Sequence, residues 1–149
     1  MVKFKFRLQP LLNIKIQLED SAKNELGKAV QKLEEEKEKG RSLLRHREKY
    51  INGLREKSSS VARIEELRSY TMYISSLAKK VEDQNKNIKE ASDIVDRYRE
   101  ELIKIVKERK ILEKLREKKL NEYLIEMSKD EQKRMDEIVS YKYSDYQVK

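Results

Sequence analysis

His46 is the only histidine in a 149-residue chain that has no cysteine. A multi-histidine metal site is therefore impossible within one chain, and thiolate ligands and disulfides are excluded. Carboxylates are plentiful, but they recur at helical spacing with cations, as in Glu35–Lys39 and Glu82–Lys86, where i,i+4 pairing on a solvated face accounts for them. A catalytic carboxylate pair needs a concave, partly dry pocket to move its pKa values. No phosphate-binding glycine loop, no G-x-S-x-G and no H-E-x-x-H occurs. The expectation is a non-enzymatic protein with no metal and no cofactor. The chemistry left is recognition, and tyrosine is suited to it because the ring buries area while the hydroxyl stays polar. Tyr50, Tyr70 and Tyr73 fall close together in the middle of the chain, and Tyr123, Tyr141, Tyr143 and Tyr146 mark its far end.

The elements that carry these residues follow from composition and period. Charged residues make up 43% and apolar ones 37%, with three glycines, one proline and no tryptophan. That profile fits a coiled coil or long helix and argues against a globular core. The net charge is +8, which suits nucleic acid, anionic lipid or an acidic protein. The cations are interspersed with glutamate, however, and read as solvated helix surface. Only the start departs from this, where Lys3, Lys5, Arg7 and Lys15 precede the first acid, Glu19. The basic residues near 104–119 are diluted by Glu108, Glu113 and Glu117, and no zinc finger, RNA-recognition motif or dense basic region is present. No nucleic-acid partner is expected. No stretch approaches the ~20 apolar residues of a membrane span, and the first residues lack a signal-peptide core. The chain reads as soluble and intracellular, docking at a membrane only through partners.

The second half carries the clearest repeat. Leu67, Tyr70, Ile74, Leu77, Val81, Gln84, Ile88, Ala91, Val95, Tyr98, Leu102 and Ile105 follow one another in steps of three and four. This is the seam of a left-handed coiled coil. Gln84 is its one polar member; a polar seam residue fixes register at some cost in stability. A weaker version runs through Ala22, Leu26, Ala29, Leu33, Gly40, Leu44, Ile51 and Leu54, interrupted at Lys37 and Arg47 and extended toward the start by Leu11, Leu12 and Leu18. Pro10 suits a helix's first turn. Gly40 either permits close approach or marks a bend. Between the two repeats, Ser58, Ser59 and Ser60 signal a turn, and one of them is expected to cap the second helix.

The expected fold is all-α: a long antiparallel two-helix coiled-coil hairpin, the second helix longer than the first. It forms a single coiled-coil domain over 1–149, with helix 1 about 10–56, a turn about 57–61, helix 2 about 62–139 and a frayed tail 140–149. A turn centred near Ser59 sets Leu54 against Ile64, Leu44 against Ile74, Val30 against Ile88 and Leu12 at the level of Ile105. Gln84 then lies opposite Leu33 and Glu34, and Gly40 opposite Leu77 and Ala78. From about residue 107 the second helix overhangs. There ERKILEKLREKKLNEY, residues 108–123, restarts its apolar residues out of phase, at Leu112, Leu115, Tyr123 and then Met127. Its partner is either the chain's own Phe4, Phe6 and Leu8 or another protein.

Four stretches, KFKFRLQPLLNIK, ELRSYTMYISSL, LREKKLNEY and DEQKRMDEI, resemble the flagellar export protein FliJ family. The most specific part is Asp130 to Ile138, where D-E-x-x-x-M-D-E closes the long helix. The resemblance implies a component of the flagellar type III export apparatus, similar in form to the rotor stalk of F- and V-type ATPases. It implies three partners: the hexameric flagellar export ATPase, whose assembly and ATP turnover the protein would promote; the cytoplasmic domain of the membrane export gate; and export chaperones. It implies a cytoplasmic location, peripheral to the cell membrane, without direct membrane insertion. The ATPase-facing residues implied are Phe4, Phe6, Leu11, Leu12, Leu112, Leu115, Arg116, Lys119, Tyr123, Met135 and Asp136. Those implied for the gate are Leu43, Tyr50, Tyr73 and Leu77, with His46, Lys80 and Gln84 on the same surface but different in type from the family's residues. Two other readings stay open: a generic self-associating coiled-coil adaptor, which explains the periodicity equally well, and a basic rod that binds nucleic acid or lipid, which would need its charge concentrated on one face.

Overall fold

Two helices account for the fold in the computed structural model, which describes residues 3–61 and 63–147: α1, Gln9–Ser58, and α2, Ile64–Gln147. They pack against each other as a long antiparallel coiled-coil hairpin with α2 the longer, and the described residues include no strand. The first turn of α1 holds Pro10, whose missing N–H has no intrahelical use there. The Leu8 carbonyl accepts the Leu12 N–H at 2.9 Å. At the start of α2 the Arg63 carbonyl accepts from Glu66 and Leu67 at 3.1 and 3.2 Å, and Glu65 and Glu66 lie at the positive end of the helix dipole.

The serines act on the other helix. Ser58, Ser59 and Ser60 donate their hydroxyls to the carbonyls of Arg55, Glu56 and Lys57, at 2.9, 2.8 and 3.3 Å. They satisfy the orphaned end of α1 and do not cap α2. The connection therefore begins at Ser59 and runs to Arg63, later than a turn centred on Ser59. Ala62, which the expected start of helix 2 included, lies outside the described residues, as do residues 148 and 149 of the expected tail.

By packing, the chain divides into two units, one of Asp20–Ile103 and one of Met1–Glu19 with Lys104–Lys149. In the first, the expected α2 positions from Leu67 to Leu102 are all buried or half-buried, with Leu77 and Val95 at 1% and 2% exposure. On α1 the row is Ala22, Leu26, Ala29, Leu33, Glu36, Gly40, Leu43, Arg47, Tyr50, Leu54 and Lys57, again in steps of three and four. Three expected positions are corrected by it. Glu36 and not Lys37 fills the gap after Leu33, Leu43 replaces Leu44, which is 49% exposed, and Tyr50 stands in the row in place of Ile51. Helical geometry keeps the step even where the residue is charged: Glu36 is met by Gln84 and Lys32, whereas Arg47 holds its place with its Nε unpartnered. Register shifts with the later turn. Gln84 meets Glu36, and Gly40 meets Ile88 and Gln84 and not the Leu77–Ala78 level.

In the second unit Leu12 and Leu112 form the buried apolar core, with Glu19 also buried. The seam does not change phase after Ile105. It continues through half-buried Arg109 to Leu112, because Glu19 receives the arginine. Past Met127 every described residue of α2 is exposed. The helix nevertheless runs to Gln147, beyond the point near 139 where loss of the heptad suggested a frayed tail. No glycine or proline follows Gly53 to stop it.

Candidate functional site

Residues 3–8 form a strap ahead of α1. Phe4, Phe6 and Leu8 are half-buried while Lys3, Lys5 and Arg7 are exposed, an alternation of period two. The Phe4 ring lies 5.6 Å from that of Tyr123. Arg116 sits over Phe4 at 5.8 Å and donates Nε to Gln9 Oε1 at 3.0 Å. Strap and helix enclose a groove of about 840 Å³, walled by Phe4, Phe6, Leu8, Leu115 and Tyr123, with Lys119, Glu122 and Glu126 along its rim. The apolar stripe of 108–123 thus packs on the chain's own N-terminus, the first of the two partners considered for it.

Below the strap lies a charged layer. Lys15 pairs with Glu108 at 2.7 Å, and Arg109 joins Glu19 on α1 and Glu113 at 2.8 Å on its own helix. Hydrogen bonds donated to Glu113 and Glu19 hold the Arg109 pKa above its ordinary value, and the hydrogen bond that Glu108 accepts from Lys15 holds the Glu108 pKa below. Of the residues assigned to an ATPase surface, Leu12 and Leu112 are buried, and Phe4, Phe6, Leu115 and Tyr123 are half-buried in the strap contact. Leu11, Arg116, Lys119, Met135 and Asp136 are exposed. Met135 and Asp136 stand on the uncovered end of α2 with Ile138, Val139 and Tyr141, at 52%, 63% and 75% exposure.

The Asp20–Ile103 unit carries a second surface near its turn. Tyr50 on α1 contacts both Tyr73 and Tyr70 on α2, with ring centroids 4.5 and 5.6 Å apart. His46 packs edge-on against Tyr50 and Tyr73, at 4.9 and 5.8 Å, and its Nε2 is 2.9 Å from the Tyr73 hydroxyl. Lys57 Nζ lies 4.8 Å over the Tyr70 ring, within cation–π range. A groove of about 660 Å³ borders the cluster, lined by Arg45, His46, Lys49, Tyr50, Gly53 and Tyr70 among others.

The residues assigned to a gate surface divide accordingly. His46 and Lys80 are exposed, and Tyr50 and Tyr73 are half-exposed. Leu43 is half-buried in the α1 row, Leu77 is fully buried, and Gln84 is 8% exposed. Sequence reasoning missed the charged seam residues Glu19, Glu36 and Arg109, which only an unbroken count of threes and fours would find. It read Tyr70 as a seam residue; its ring also completes the aromatic cluster.

Among the described residues no group of three or more His, Asp or Glu is arranged to hold a metal ion. No helix of the described residues is long and apolar enough to cross a membrane.

The class is set by the fold: an antiparallel two-helix coiled coil whose surfaces are seams, grooves and exposed helix faces. The chain belongs to the FliJ family, described as Flagellar FliJ protein, which matches residues 4–147. Among solved structures it is similar to a protein described as a YscO homolog, CT670 from Chlamydia trachomatis. The two are 26% identical, with a TM-score of 0.73, and the match covers 99% of each chain. No curated protein matches the chain in sequence. The family is a component of the type III export apparatus.

Proposed function

We propose that this protein is the stalk-like, non-catalytic component of the flagellar export apparatus. It binds the hexameric export ATPase through the unit of residues 3–19 and 104–147. There it promotes ring assembly and ATP turnover. Through the His46, Tyr50, Tyr73 and Lys80 face it couples the ATPase to the cytoplasmic domain of the export gate, and it escorts export chaperones. It acts on the cytoplasmic side of the membrane and is held there by its partners.

The observation that carries this reading is the end of α2. From residue 128 to 147 the helix is exposed on all sides and yet presents Met135, Ile138, Val139 and Tyr141. A helix that keeps apolar side chains in water without a partner of its own suits insertion into a larger assembly. Family membership points to the type III export apparatus as the setting for such an insertion. Mixed charge along the same stretch, Asp130, Glu131, Lys133, Arg134, Asp136 and Glu137, suits a specific contact that does not lock.

The test is ring formation by the cognate export ATPase, followed by electron microscopy and sedimentation, with the full chain and with a chain ending at Met127. Hexamers promoted by the full chain alone are expected. Equal promotion by both would move the contact to the hairpin. Promotion by neither, with the protein instead associating with itself, would favour the generic adaptor.

A further inference from the structure

Gln84 is buried in the seam, and both of its amide hydrogens are spent on one residue. Nε2 donates to the backbone carbonyl of Glu36 at 2.8 Å and to its Oε2 at 2.6 Å, while Oε1 accepts from Asn87 Nδ2 at 3.3 Å. The other Glu36 oxygen takes Lys32 at 2.9 Å and Lys39 at 3.5 Å. A carbonyl inside a helix already serves the N–H four residues on, here that of Gly40. It is normally screened by that residue's side chain. Gly40 has none, and a Cβ built there would meet Ile88 Cδ1 at 3.0 Å and Gln84 Cγ at 3.8 Å. The missing side chain leaves room for the Ile88 methyl, so that α2 packs close to α1 at the level where Gln84 reaches the carbonyl.

We propose that Glu36, Gly40 and Gln84 form a register key, and that this key positions the two halves of the aromatic face built from His46 and Tyr50 on α1 and Tyr73 on α2. A coiled-coil seam tolerates slips of one heptad, because apolar positions superpose on apolar positions. A slip of seven residues would bring Gln84 to the level of Ala29 or Leu43. Neither supplies a carboxylate, and the residues four further on, Leu33 and Arg47, both carry side chains. The buried Nε2 would lose both of its acceptors, which is the costly outcome for a polar group in a core. The same slip would carry Tyr73 to the level of Lys39 or Gly53 and dissolve its contact with His46. Gln84 is thus a positioning residue and not a contact residue of the gate-facing surface. The key rests on the docking reading only for its consequence; register itself is measurable with no partner present.

The chain has no cysteine and one histidine, so two clean probes exist. Spin labels on Ser42→Cys and Lys79→Cys, both exposed on opposite helices, report axial register by pulsed electron resonance. The ring signals of His46 report the aromatic face by NMR. In the parent chain one distance and one ring-shifted set of His46 signals are expected. With Glu36→Leu and Gln84→Leu combined, helical content should persist. A second distance population should appear, set by an axial slip of about 10 Å along the helix for one heptad, and the His46 signals should split or lose their ring shifts. Glu36→Gln, which keeps an acceptor for Gln84, should restore the parent pattern. A double variant with the parent distance and the parent His46 signals would overturn the proposal. So would loss of its helical circular dichroism, because a register key is dispensable for folding.

Discussion

Arg109 on α2 stands in the seam of its unit as the direct ion partner of Glu19 on α1, and Glu113 takes its second bond at 2.8 Å. A charge pair thereby fills a position where the heptad asks for an apolar residue. Breaking such a pair from one side strands the other charge, whereas replacing both by apolar residues is often neutral or stabilising. Arg109→Leu alone is expected to lower the thermal midpoint. Glu19→Leu with Arg109→Leu is expected to return it to the parent value or above, read by circular dichroism at 222 nm. A double variant less stable than Arg109→Leu would contradict the pairing.

Acid should weaken the Asp20–Ile103 unit through Glu36. Its pKa is lowered from an ordinary 4.5 to about 2, first by the Lys32 hydrogen bond and then by that of Gln84. A carboxyl depressed on folding contributes stability that is full above its unfolded pKa and is lost as pH falls through the folded value. The midpoint should therefore drop between about pH 4.5 and 2. Glu36→Gln should flatten part of that slope and leave the remainder, since Glu38 of the same unit is also held low, by Arg45 first. An unchanged slope in the variant would contradict the assignment.

The three glycines should respond differently to alanine. Gly27 is exposed and a Cβ there meets nothing within 4 Å. Gly27→Ala should therefore gain about 1 kcal/mol, the usual helix-interior difference. Gly40→Ala draws on the same propensity but would crowd the Ile88 methyl at 3.0 Å beside the Glu36–Gln84 contact, so it should be no more stable than the parent chain. Urea unfolding of the two variants side by side checks the order.

Leu77 and Tyr73 should separate packing from recognition. Leu77 is 1% exposed, and Leu77→Ala should cost roughly 2–5 kcal/mol, as buried leucines do. Tyr73→Ala should change stability less and weaken binding to the gate's cytoplasmic domain by roughly tenfold or more, as loss of an aromatic anchor does. Calorimetric titration of both variants would reveal the opposite pattern if Leu77 were the contact.

The α2 seam was readable from Leu67 to Ile105, because those positions are apolar except at Gln84, but its continuation through Arg109 was not. The α1 seam was not, because burial there is shared with charge. Choosing apolar residues led to Leu44 and Leu18, whereas the even step leads to Leu43 and Glu19. Register needed the turn, and the turn was misjudged because serine hydroxyls suit either helix end. They bond back to Arg55, Glu56 and Lys57, which delays the start of α2. The strap was half legible. Phe4, Phe6 and Leu8 were one of two partners open for the 108–123 stripe, but only the fold sets Phe4 on Tyr123.

The most direct measurement is ATP hydrolysis by the cognate export ATPase as this protein is titrated in, against a chain ending at Met127. All of residues 128–147 are exposed, so the shortened chain should melt within a few degrees of the parent while failing to stimulate turnover. Stimulation by both chains to the same extent would contradict the assignment of the ATPase contact to the free end of α2. Stimulation by neither, with an active ATPase, would contradict the stalk role itself.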